Sequence, residues 1–188
     1  MKIYTALRER SLHKIVMNLG EVRKNINEVD DKMKALFEAR MVCSNEIAKI
    51  KYESGDSIFK PDREKEMYGR FADNPRYVAF LKKVVQLSRY KQYEFFADNE
   101  DTSDFREFIQ NDLKGGKMTL ELKADENSKK GLCIKDILSV VSTSALDVVR
   151  IEANNENNNV LVIFNVPDDE LSQKEAYILK YMLKKETL

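Results

Sequence analysis

EVRKNINEVDDKMKALFEARMVCSNEIAKIKYE, residues 21–53, is the stretch whose reading decides the fold. It holds neither Pro nor Gly, and Val22, Ile26, Val29, Met33, Leu36 and Phe37 recur at three- and four-residue steps, with Ile47 and Ile50 continuing the pattern. That rhythm belongs to an amphipathic helix. Gly55 stops it. The helix is about 50 Å long at 1.5 Å of rise per residue.

Outward from this helix, Pro61 reads as a first-turn residue of a second, shorter helix running through Arg63, Met67 and Phe71. Asp73-Asn74-Pro75 is a break. A third helix follows, with Tyr77, Phe80, Leu81, Val84, Val85 and Leu87 as its apolar residues, and runs to about Phe96. The two shorter helices hold too little sequence to cover the long one. Its apolar face therefore calls for a partner, most simply a second copy of the same chain.

The rhythm changes after Phe96. Ala97 to Asp104 is acidic and polar and reads as a linker. A short helix capped at Thr102 or Ser103 runs through Leu113 and ends at Gly115-Gly116. Met118, Leu120 and Leu122 then alternate with Thr119, Glu121 and Lys123, the pattern of a half-buried strand. Ile134–Val141 reads as helix, Val148–Ala153 and Val160–Val166 as strands joined across an Asn-rich stretch, and Asp168–Lys185 as a final helix. The order β-α-β-β-α implies a small sheet with helices on one face.

Composition narrows the function classes. Lys plus Arg and Asp plus Glu are 32 each, so the formal charge is zero. Such a chain offers no broad attraction for nucleic acid or an anionic membrane, and an anion must be held by a local cluster of cations. No apolar run approaches the ~20 residues that span a bilayer, and Met1–Gly20 lacks the apolar core of a signal peptide. Cys43 and Cys133 match no metal or redox spacing and read as reduced thiols of a cytoplasmic protein. His13, the only histidine, reads as incidental.

The local cluster is visible on the long helix. Arg40 and Lys51 are eleven residues apart, which leaves them about 20° out of phase and about 16 Å apart along the axis. Their long side chains can embrace a small anion. Arg23 lies seventeen residues before Arg40, turned away by about 260°, and serves the pocket of a partner lying alongside more readily than its own. Arg63 and Glu64 sit in the first turn of the second helix, and Ser88 and Gln92 share a face of the third. Taken singly, such residues are usually solvated surface. Spacing and composition by themselves support an anion-binding helical dimer.

Together these positions resemble the all-helical (type II) chorismate mutases. That family opens LR-x-x-I-x-x-x-D, places an arginine seventeen residues later, then K-x-K and D-R-E, and carries S-x-x-x-Q on its third helix. Here these stand as Val22-Arg23, Ile26, Asp30, Arg40, Lys49-x-Lys51, Asp62-Arg63-Glu64, Ser88 and Gln92. The resemblance implies a three-helix, all-α domain over residues 17–97 that forms an intertwined homodimer. It would follow an N-terminal extension, residues 1–16, and precede a linker with a short helix, 98–116, and a small α/β domain, 117–188. It further implies an isomerase that converts chorismate to prephenate by a pericyclic rearrangement, without cofactor or metal, in the shikimate route to phenylalanine and tyrosine.

The family pattern assigns roles residue by residue. Arg40 and the partner's Arg23 would pair with the two carboxylates of chorismate. Lys51 and Gln92 would donate to the ether oxygen of the breaking bond, and Glu64 would accept from the ring hydroxyl. Ser88 would support a carboxylate and Arg63 would orient the cluster. Lys60 stands where many family members carry an acidic residue, so the contact that residue makes near the substrate hydroxyl is not expected here. Residues from about 103 onward resemble no family firmly. Gly131-Leu132-Cys133-Ile134-Lys135 is faintly similar to a phosphocarrier motif, but cysteine replaces its histidine. A sensing domain for an aromatic amino acid effector and a dimer-extending appendage are both open readings of this part. An isochorismate-pyruvate lyase on the same scaffold and a noncatalytic metabolite-sensing protein are the alternatives to the mutase.

Overall fold

The computed structural model describes residues 18–100, 102–124, 133–154 and 156–187. The expected extension, His13 and the Gly131-Leu132 part of the phosphocarrier-like stretch lie outside these residues. The chain divides into two units, residues 1–40 and 41–188.

The first unit is described over residues 18–40 and carries most of helix α1, Leu19–Ser54. The helix starts two residues earlier than its apolar rhythm indicates. Asn18 and Glu21 form a reciprocal cap, in which the Glu21 N–H donates to Asn18 Oδ1 and the Asn18 N–H donates to Glu21 Oε2, each at 2.9 Å. This capping box satisfies donors that a helix start otherwise leaves orphaned. Leu19, Val22, Ile26, Val29, Met33 and Leu36 form a seam with alternating three- and four-residue steps, the spacing of a coiled-coil interface. All are exposed in the single chain, Ile26 and Val29 at 52% and Leu36 at 72%.

In the second unit, α1 ends in a Schellman motif. The Asp56 N–H donates to Lys51 O at 2.9 Å and the Gly55 N–H to Tyr52 O at 3.4 Å. Gly55 takes φ +68°, which L residues adopt at a cost. Helix α2, Pro61–Gly69, starts on proline as expected but ends before Phe71, which lies in a turn where its N–H donates to Tyr68 O. Helix α3, Pro75–Asn99, is capped by Asn74, whose side chain accepts from the Tyr77 N–H at 3.0 Å. Tyr77 and Phe80, which the sequence places among its apolar core residues, are exposed at 39% and 47%, whereas Leu81, Val85 and Tyr93 are buried. Helix α3 runs three residues past Phe96, and α4, Thr102–Asp112, starts soon after. The polar stretch read as a linker is mostly helix, with Asp98 and Asn99 exposed and Ala97 packed against the core.

Strands β1 (Lys117–Lys123), β2 (Asp147–Asn154) and β3 (Asn159–Asn165) form an antiparallel sheet of order β1-β3-β2, with α5, Ile134–Val141, between β1 and β2. Leu120 pairs with Val162 and Met118 with Phe164. Buried residues alternate with exposed ones along β1 and with exposed or half-buried ones along β3, so the sheet has one dry face on these strands. Helix α6, Glu170–Thr187, lies on β1 and also packs on α3, α4 and α5. Its Ala176, Leu179, Met182 and Leu183 are buried in a core that also contains Tyr93 of α3 and Ile58 of the α1–α2 connection. The C-terminal elements therefore share a core with the third helix. Two polar contacts reinforce that docking: Tyr90 with Glu175, and Lys174 with Asp98.

Candidate active site

The Schellman turn fixes Lys51. Its carbonyl closes the motif, and its Nζ donates to Ile58 O at 2.7 Å, tying the end of α1 to the connection that leads into α2. Burial lowers the ammonium pKa below its ordinary value, with the Asp56 charge opposing and the charges of Lys60, Arg63 and Glu64 acting in turn. A half-desolvated lysine held by one carbonyl is a preorganised donor with protons to spare.

Glu64 of α2 is largely buried and accepts from Tyr68 Oη at 3.0 Å and from Arg89 Nη1. Arg89 of α3 is only 4% exposed. Its guanidinium lies over the Phe59 ring, 4.8 Å from the centroid, and its Nε is 2.9 Å from Glu186 Oε1 of α6. Burial pulls the Arg89 pKa down, but Glu186 and Glu64 outweigh it and hold the guanidinium above its ordinary value. Glu186 is 1% exposed. Among the described residues, neither of its oxygens nor Arg89 Nε has an aligned hydrogen-bond partner. Burial raises the Glu186 carboxyl to about 7, against the pull of Arg89.

Ser88 and Gln92 are both buried, one turn apart on α3. Ser88 Oγ donates to Val84 O at 2.9 Å, and Gln92 Nε2 donates to Ser88 O at 3.2 Å. Among the described residues Gln92 Oε1 has no hydrogen-bond partner despite its burial, a cost that buried amides seldom carry. Arg63 is exposed, one residue from Glu64. Lys60 is ion-paired with Asp56, which accounts for its charge without any acidic residue at that position.

Within the second unit, then, the structure brings Lys51, Arg63 and Glu64 into mutual electrostatic range and stacks Ser88 and Gln92 on one face of α3. In the first unit, Arg23 is exposed and Arg40 half-buried on α1. A groove of about 570 Å³ opens beside Glu64 and Arg89 and is lined also by Phe59, Tyr68, Lys82 and Gln86. Lys51, Ser88 and Gln92 do not line it. Among the described residues, no group of three or more His, Cys, Asp or Glu side chains is placed to hold a metal ion, and no helix is long and apolar enough to cross a membrane. Cys43 and Cys133 are free thiols.

Arg89 and Glu186 escape a reading of motifs, although each leaves a trace. Arg89 stands four residues from both Val85 and Tyr93, inside the buried row of α3. Glu186 stands four residues after Met182 on the buried row of α6. A charge on an apolar row is a buried charge in want of a partner.

Residues 22–93 match the sequence profile of the family Chorismate mutase type II. They carry a chorismate mutase type II domain. A chorismate mutase of Methanocaldococcus jannaschii is 38% identical over 56 residues, which is 30% of this chain and 57% of that protein. The chain thus spans a little over half the length of this relative. No solved structure gives a significant match. The matched segment includes Arg23, Arg40, Lys51, Arg63, Glu64, Ser88 and Gln92, and ends at Tyr93, one residue after Gln92.

Proposed function

We propose that this protein is a chorismate mutase, an isomerase that converts chorismate to prephenate on the way to phenylalanine and tyrosine. The observation that carries the reading is the register of Arg23, Arg40, Lys51, Arg63, Glu64, Ser88 and Gln92 inside the matched segment, residues 22–93. The reaction is intramolecular and pericyclic, so it needs no nucleophile. The protein must fold a flexible dianion into its reactive shape and stabilise charge growing on the ether oxygen. Lys51, half-desolvated and held by a carbonyl, supplies a full charge there, and Gln92 a neutral donor. Arg40 and the partner's Arg23 take the carboxylates, Ser88 supports one of them, Glu64 accepts from the ring hydroxyl, and Arg63 orients the group.

The working unit in this proposal is an intertwined homodimer. The exposed seam from Leu19 to Leu36 supports it, since a contiguous apolar stripe of this length is seldom left in water. Residues 17–97 form the catalytic domain and 117–188 a smaller domain that acts on it, in keeping with the docking of α6 along α3. An aromatic amino acid is the effector class to test there.

Parallel assays of chorismate and isochorismate, with prephenate and pyruvate quantified separately, test the reading. Prephenate from chorismate without pyruvate from isochorismate is expected. Pyruvate release from isochorismate alone would assign the scaffold to the lyase instead.

A further inference from the structure

Arg89 holds a position that the proposed chemistry does not use. It is buried between two carboxylates, Glu64 from the substrate site and Glu186 from the last turn of α6, with its guanidinium over the Phe59 ring. Two carboxylates and one guanidinium leave this buried group one negative charge in excess, an arrangement that is costly in a medium of low dielectric. We propose that Arg89 is a positioning residue for Glu64, and that Glu186, presented by the C-terminal helix, sets the charge of the Glu64 end of the site. The proposal rests on the chorismate mutase reading for its kinetic consequences but not for the coupling itself.

The geometry makes the coupling local. Arg89 reaches Glu64 through Nη1 and Glu186 through Nε, opposite edges of one rigid planar group. Any displacement or recharging of Glu186 is therefore felt by Glu64 through a side chain fixed on Phe59. Arg89 is also flanked in sequence by Ser88 and, one turn on, Gln92, so the same turn of α3 carries both the coupling and two proposed substrate contacts.

The groups that act on Glu186 are Arg89 and Tyr93 from α3 and Glu64 from α2. Charged and phenolic neighbours on its own helix are engaged elsewhere: Lys180 with Asp112 of α4, Tyr181 with Glu100, and Lys185 over the Tyr181 ring. The excess charge is thus removed by taking up a proton, and burial places that uptake near neutrality. Below that point the triad is neutral overall. Above it, a net negative charge sits beside a site that must admit a dianion.

Glu186→Gln keeps the shape and removes the titration, and Arg89→Lys keeps the cation but cannot bridge both carboxylates. In the wild-type protein KM for chorismate should rise above pH 7 while kcat stays flat. Glu186→Gln should abolish the rise, giving a KM at pH 8 roughly fivefold below wild type. Arg89→Lys should lower kcat/KM about tenfold. The coupling is read independently by the ¹³C carboxyl resonance of Glu64 in Glu-labelled protein. In wild type that resonance should shift as Glu186 takes up its proton, and in Glu186→Gln that shift should be absent. A Glu64 resonance indifferent to Glu186→Gln would overturn the proposal, as would an unchanged KM profile in that variant. An inactive wild type with a coupled resonance would refute the mutase reading and leave the coupling standing.

Discussion

Gly55 and Gly69 offer a pair of substitutions whose effects should have opposite sign, although both are glycine to alanine near a helix end. At neither position would an added Cβ meet any atom within 4 Å, so steric clash plays no part. The difference lies in the backbone. Gly55 holds φ +68°, whereas Gly69 ends α2 without a positive φ. An L residue forced into the left-handed region costs about 1–2 kcal/mol. Against this, alanine restricts the unfolded chain and returns about 0.4–1 kcal/mol. Gly55→Ala should therefore destabilise by about 1 kcal/mol, and Gly69→Ala should stabilise by about 0.5–1 kcal/mol. For a chain of this size those figures correspond to a Tm about 2–4 °C lower and about 1–4 °C higher. Urea unfolding of each variant beside wild type, with m-values compared, measures both. The Schellman turn also anchors Lys51, whose carbonyl accepts from the Asp56 N–H, so Gly55→Ala should additionally reduce turnover while Gly69→Ala should not. Equal shifts of the same sign would refute the assignment of the cost to φ.

Three further outcomes follow from the site. Gln92→Glu replaces a neutral donor with a carboxyl that must be protonated to donate. Turnover at pH 7.5 should fall by about 10² and recover toward pH 5, whereas wild-type kcat should persist at neutral pH, as a pH series of kcat would reveal. Arg23→Ala and Arg40→Ala should each be inactive, yet after unfolding and refolding together they should regain about a quarter of wild-type activity, because half the dimers then hold one intact site of two. No recovery would place Arg23 in its own subunit's site. Glu186 has a folded-state pKa of about 7 against an ordinary value of 4.5, so the folded state binds the proton more tightly. The stability this contributes is present in full below pH 4.5 and is lost as pH rises toward 7, on the order of 3 kcal/mol, and Glu186→Gln should flatten that slope in urea melts at pH 5 and 8.

Periodicity made much of this fold legible. The seam of α1 and the alternation of Met118, Leu120 and Leu122 are direct consequences of burying one face of a helix or strand, and both are written in single residues. The ends of the elements were less so. The α1 start depends on Asn18 and Glu21 capping each other, and α2 stops at Gly69 although apolar Phe71 follows in step. Spacing placed Lys51, Glu64, Ser88 and Gln92 on the right elements because each belongs to a local motif. Arg89 and Glu186 were not legible, since their meaning comes from each other across 97 positions of chain and only the docking of α6 on α3 brings them together. The sharing of one core between α3 and the sheet was hidden for the same reason. A helix that buries its face against a distant partner carries the same rhythm as one that packs on its neighbour.

The most direct test is to follow chorismate by ultraviolet absorbance with purified wild-type protein and Arg40→Ala, identifying the product by proton NMR. Prephenate is the expected product, with its formation lost in Arg40→Ala. Chorismate left unchanged by the wild-type protein, or consumed equally by the variant, would contradict it.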